Sequence, residues 1–143
     1  MRLRPSPDWE PIFAALATLK REWPARGWSW DTRLVCVTSS FAGEFVEPAR
    51  TALKKAFQAE YTSKTLTTAH PYLQEVAERA GGVRANQAAY AATPAPIAHL
   101  LVFGLWWPWN DQETISVRVG IAKLEANDDP YPRFREIFGV SVY

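Results

Sequence analysis

The chain has 143 residues, 48% hydrophobic and 22% charged, with 16 basic and 15 acidic side chains and a formal charge of +1. That is globular composition at single-domain size, enough to bury about two thirds of the surface of the unfolded chain, and it excludes a disordered polar segment. Charge divides as +3 over residues 1–64, zero over 65–95 and −2 over 96–143, which gives no basic stripe; nucleic acid is not expected as a partner.

The single cysteine, Cys36, rules out an internal disulfide framework and a cysteine-rich metal site. Its place between Val35 and Val37 reads as a buried, inert thiol. Met1-Arg2-Leu3-Arg4-Pro5 is not followed by the apolar core of a signal peptide. The longest apolar run, Ile97 to Trp109 with His99 inside it, falls short of a membrane span. The expectation is one cytoplasmic domain, residues 1–143, without membrane contact.

In chain order, Asp8 can cap a helix over residues 8–23, with Glu10 and Pro11 suited to its first turn. Trp9, Ile12, Phe13, Leu16, Leu19 and Trp23 recur every three or four positions and form one apolar stripe. Pro24 ends the helix near Glu22 or Trp23. Residues 25–31 read as a turn-rich link with Trp28 and Trp30. Residues 33–39 read as a strand inside a sheet, since both of its central phases are apolar.

Residues 39–47 read as a loop. Pro48 fits the first turn of a helix to about Tyr61, whose apolar face is Ala49, Ala52, Leu53, Ala56, Phe57 and Tyr61. Thr62 to Thr68 reads as a polar loop or a short edge strand. A third helix, 71–80, carries Tyr72, Leu73, Val76, Ala77 and Ala80 on one side and closes at Gly81-Gly82. Residues 83–92 lean to a short helix because of their alanines, and Thr93-Pro94-Ala95-Pro96 is a stiff connection.

Residues 97–106 are apolar in both alternation phases, as in an interior strand, and Gly104 allows a bulge or a close neighbour. Thr114 to Ile121 alternates strictly, with Ile115, Val117, Val119 and Ile121 on one face and Thr114, Ser116, Arg118 and Gly120 on the other. The short link 107–113 makes the two an antiparallel hairpin, with 97–106 central and 114–122 nearer an edge. Residues 125–132 read as a turn-forming link, Arg133 to Phe138 as one or two helical turns stopped by Gly139, and Val140 to Tyr143 as a short edge strand or a frayed end. The fold class is α+β: a three- or four-stranded mixed or antiparallel sheet with a central hairpin, packed by three main helices.

Seven tryptophans stand out. Trp9 and Trp23 lie on the first helix stripe and read as packing. Trp107 and Trp109 flank Pro108 in a hairpin loop, where a large ring supplies contact area at little entropic cost. Covering the open end of the sheet is the competing use of that loop. The candidate partner-binding set is Trp106, Trp107, Trp109, Asn110, Asp111 and Glu113, aromatic anchors with a polar rim.

No catalytic constellation emerges. His70 and His99 lack metal-ligand spacing, Ser39 and Ser40 lack a nucleophile elbow, and Gly81-Gly82 is no phosphate loop. Glu75, Glu78 and Arg79 read as a solvated helix face. No metal and no cofactor are expected. The leading expectation is a non-catalytic recognition domain, such as a bacterial adaptor, inhibitor or accessory subunit, which binds another protein through the Trp-rich loop. A small-ligand domain or enzyme with a cleft near His99 and Asp111 is the first alternative. A structural homo-oligomer that hides the loop at a two-fold interface is the second.

Overall fold

The computed structural model describes residues 9–25, 27–57, 59–69, 71–92, 101–109, 111, 113–122 and 130–140. Among them the elements run α1 (Trp9–Glu22), β1 (Ser29–Asp31), β2 (Cys36–Ala42), α2 (Val46–Ala56), β3 (Ala59–Tyr61), α3 (Pro71–Arg79), β4 (Ala88–Ala92), β5 (Leu101–Pro108), β6 (Thr114–Ala122) and α4 (Tyr131–Phe138). Short 3-10 turns cover Gly43–Phe45 and Leu66–Thr68. The six strands form one sheet in the order β1-β2-β6-β5-β4-β3, antiparallel throughout.

The α+β class stands, but the sheet is wider than the three or four strands expected from sequence. The extra strands are short or compositionally disguised. Ala88–Ala92, expected as a helix, is a strand because β3 and β5 pair with it on either side and four of its residues are buried. Pairing and burial override the high intrinsic helix propensity of alanine there. Residues 29–31, expected as a link, pair with β2.

Helix α2 stops at Ala56, not Tyr61. Phe57 turns extended (φ −118°, ψ 131°) and buries its ring against β5. A Cβ at Gly104 would lie 3.2 Å from that ring, so Gly104 serves a close neighbour. The register through it is unbroken, without a bulge. The hairpin 101–108/114–122 is antiparallel as expected, but β6 is interior, between β2 and β5, rather than near an edge. Pro132, expected in a link, lies in the first turn of α4, where its missing N–H costs nothing.

The sheet separates two packed layers. On one face α1, α2 and α4 cover Val37, Phe41, Tyr90, Val102, Trp106, Val117, Val119 and Ile121. On the other, α3 covers Cys36, Ala89, Ala91, Leu101, Phe103 and Leu105 through Leu73 and Val76. Gly139 adopts the left-handed conformation (φ 68°) that closes α4, with its N–H and that of Val140 returning to the last carbonyls. The Asp8 cap, His70, His99, residues 93–100 and the terminal residues 141–143 lie outside the described residues.

Candidate functional site

Alternation along β5 sends neighbouring tryptophans to opposite faces. Trp106 points into the three-helix layer and is 2% exposed. The Arg50 guanidinium from α2 lies 5.0 Å from its ring centroid, and Phe41 meets it edge-on at 5.8 Å. Trp107 turns to the other face, half-buried against the α3 layer. Trp109, two residues on, is 51% exposed. Only it and Val35 are exposed large hydrophobic residues among those described.

The loop at 109–113 that presents Trp109 is built by Asp111. One carboxylate oxygen accepts from the Glu113 and Thr114 backbone N–H groups, each at 2.9 Å, and the other accepts from the Thr114 hydroxyl at 2.7 Å. Those bonds favour the charged form and hold the carboxyl below its usual range. The Trp109 N–H closes the loop onto the Thr114 carbonyl at 2.8 Å. Asp111 is thus a loop-former, and Glu113 is exposed at the tip. Asn110 lies outside the described residues.

The Trp109 ring does not swing freely. Its indole N–H donates to the Ser116 hydroxyl at 2.7 Å, and Ser116 shares a further 2.7 Å hydrogen bond with Ser40 on β2. Ser40 and Ser116 are directly paired across the strands, and Trp107 is paired with Ser116 on its other side. One rung of the sheet therefore carries Ser40, Ser116 and Trp107 side by side, with Trp109 fastened to its middle. Ser40 and Ala42 are exposed along β2.

Next along that face, Arg118 reaches over β2 to β1, its Nε 3.3 Å from an Asp31 carboxylate oxygen. The other Asp31 oxygen accepts from the Arg33 and Leu34 backbone N–H groups at 2.9 and 3.2 Å. Burial raises the Asp31 carboxyl, but the bonds from Leu34, Arg118 and Arg33 together outweigh it and leave it lowered. The turn so held, residues 32–35, ends in Val35 at φ 53°, the one non-glycine residue with positive φ among those described. For a β-branched side chain that conformation is strained by about 1–3 kcal/mol.

Sequence reasoning brought the loop tryptophans forward but missed the Ser40–Ser116 rung, the Asp31–Arg118 pair and Val35. Only Ser116 and Arg118 carried a signal, as members of the polar phase of β6. Ser39 and Ser40 have structural partners: Ser39 is 1% exposed and accepts from the Trp23 indole at 3.0 Å. Burial pushes the Cys36 thiol up to about 12, with the nearby Asp31 charge adding to it, so the thiolate is disfavoured. Among the described residues no three of His, Cys, Asp or Glu gather to hold a metal, and no helix is long and apolar enough to cross a membrane. No protein-family model matches this chain, and no curated protein or solved structure matches it.

Proposed function

We propose that this domain recognises another protein without catalysing a reaction, using Trp109 as the anchor and Trp107, Ser40 and the exposed part of the β2–β6 face as its surroundings. The observation that carries this reading is that Trp109 is half exposed yet tied to Ser116. A large ring held in one pose against water is costly to keep for a monomer alone. It has less rotamer freedom to lose when a partner covers it. A tryptophan of that kind matches the anchors on which interfaces concentrate their energy. Trp106 drops from the contact set, because Arg50 and Phe41 already cover it. Glu113 and the outer surface of the Asp111 loop form the rim.

The test is a comparison of Trp109→Ala, the Trp107→Ala/Trp109→Ala pair and the parent domain. Partners are identified by cross-linking from position 109 and then measured with purified components. Retained folding with affinity lost at least tenfold supports recognition. Unchanged affinity in a folded double variant overturns it. If the parent is a dimer in sedimentation and Trp109→Ala makes it a monomer, the surface serves self-association instead.

A further inference from the structure

Trp109 is 51% exposed, and its indole N–H is spent on the Ser116 hydroxyl at 2.7 Å. The ring therefore offers a partner its π surface rather than a hydrogen-bond donor. Two other indoles of this fold already carry a cation. The Arg50 guanidinium lies 5.0 Å from the Trp106 ring centroid, and that of Arg135 lies 3.9 Å from the Trp30 centroid. Among the described residues no cation lies over Trp109. On the recognition reading above, on which this rests, we propose that the protein partner presents a basic segment, with an arginine or lysine side chain laid over the Trp109 ring.

Charge beside the ring points the same way. Asp111 and Glu113 belong to the loop that the Trp109 N–H closes onto the Thr114 carbonyl at 2.8 Å. Glu44 joins them from the neighbouring strand end. β2 and β6 pair as far as Ala42 and Thr114, and a Cβ on Gly43 would lie 3.6 Å from the Glu113 carbonyl oxygen. Glu44 and Glu113 are exposed, and neither carboxylate has a cationic partner among the described residues. Asp111 is committed to the loop, yet its hydrogen bonds favour the charged form.

The nearest cations do not cancel these carboxylates. Arg50 lies on the opposite face of the sheet with Trp106, and Arg118 is paired with Asp31 at 3.3 Å. Arg84 stands in the turn before β4, on the far side of β5. A chain of formal charge +1 thus sets Glu44, Asp111 and Glu113 around its exposed tryptophan.

These features select a basic side chain over the other classes. Tryptophan has the aromatic face that attracts cations most strongly, and the flat guanidinium of arginine also stacks on it. A neutral apolar group would cover the ring but draw water away from Glu44 and Glu113 without supplying a counter-charge. An acidic partner would meet like charges, which oppose both approach and docking.

The experiment uses the full chain with a capped peptide of alternating arginine and glycine as probe, and its lysine and glutamate counterparts beside it. NMR follows the Trp109 indole N–H and the Glu113 and Thr114 amides. Both basic peptides should shift these signals saturably, with a Kd of millimolar order or tighter, and the glutamate peptide should not. Trp109→Leu should lower the affinity at least tenfold, and Trp109→Phe should keep more of it, because a phenyl ring still attracts a cation. The Glu44→Gln/Glu113→Gln pair should weaken binding about threefold or more and flatten its dependence on salt, with the unfolding temperature unchanged.

The proposal is overturned by an absence of saturable shifts at about 10 mM of the basic peptides, or by shifts centred elsewhere, such as on Glu75 and Glu78 of α3. It is equally overturned if the glutamate peptide binds as tightly, or if added salt leaves the affinity unchanged. A partner found by cross-linking from position 109 separates the two readings. Affinity lost in the Trp107→Ala/Trp109→Ala pair but unchanged in the Glu44→Gln/Glu113→Gln pair sinks the basic segment and leaves recognition standing. Affinity unchanged in both pairs sinks the two together.

Discussion

The Trp109 indole nitrogen lies 2.7 Å from the Ser116 hydroxyl, so the most exposed tryptophan is fastened to one of the most buried polar side chains of the sheet. Ser116→Ala removes that acceptor and the bond to Ser40, while both freed partners can still reach water. The expected cost to stability is about 1 kcal/mol, and the Trp109 indole N–H should exchange faster with solvent in NMR. An exchange rate equal to that of the parent would mean that the ring is held by something other than this hydrogen bond.

Adjacent tryptophans should answer truncation in opposite ways. Trp106→Ala empties a fully covered site and is expected to cost about 3–5 kcal/mol in chemical denaturation. Trp109→Ala should cost about 1 kcal/mol or less, since half of its surface already meets water. Similar losses from both would contradict the two-face arrangement of β5.

The Asp31–Arg118 pair makes stability depend on pH. The folded-state carboxyl is lowered from its ordinary value of 3.8, so its contribution is fully present above that value and is lost as pH falls through the lower folded one. Asp31→Asn should cost about 1–3 kcal/mol at pH 7, as expected for loss of charge-assisted hydrogen bonds. The difference from the parent should shrink steadily below about pH 4. A difference that stayed constant down to the acid transition would remove the charge from this account.

Gly120 is sealed between side chains. An added Cβ would stand 2.6 Å from the Phe103 ring and 2.9 Å from the Cys36 Cβ. The ring could shift, but Cys36 Cβ is fixed to a paired strand. Gly120→Ala is therefore expected to destabilise by about 1–3 kcal/mol despite the better strand propensity of alanine. Unfolding curves that overlay the parent would show that the sheet yields there.

Val35 offers the reverse case. Glycine takes φ 53° without strain and loses more entropy on folding, so the relief of about 1–3 kcal/mol is partly offset by about 0.5–1 kcal/mol. Val35→Gly should raise stability by about 1 kcal/mol in urea. A clear loss would mean that the Val35 side chain contributes more packing than its exposure suggests.

The tryptophan loop was only half legible. The sequence put Trp106 at the end of the strand and Trp107 in the loop, whereas β5 runs on through Pro108, so alternation turns the two rings to opposite faces. Nothing in the sequence near residue 109 points to Ser116 as the partner of its indole. That contact depends on cross-strand register, which brings Ser40, Ser116 and Trp107 into one rung from residues far apart in the chain.

Periodicity determined the α1 stripe, the alternating strand at 114–121 and their apolar faces, and the shortness of the link before residue 114 determined the antiparallel hairpin. These are local properties, set by 3.6-residue and two-residue repeats and by loop length. Tertiary structure decided the rest: that an alanine-rich segment is a strand, that 114–122 is interior, and that one end of the sheet holds a strained turn. The physical reason is that an isolated segment of chain sees only its own backbone preferences. Sheet width, coverage of a face and tolerance of a left-handed valine arise only when distant segments supply the hydrogen bonds and buried surface that outweigh those preferences.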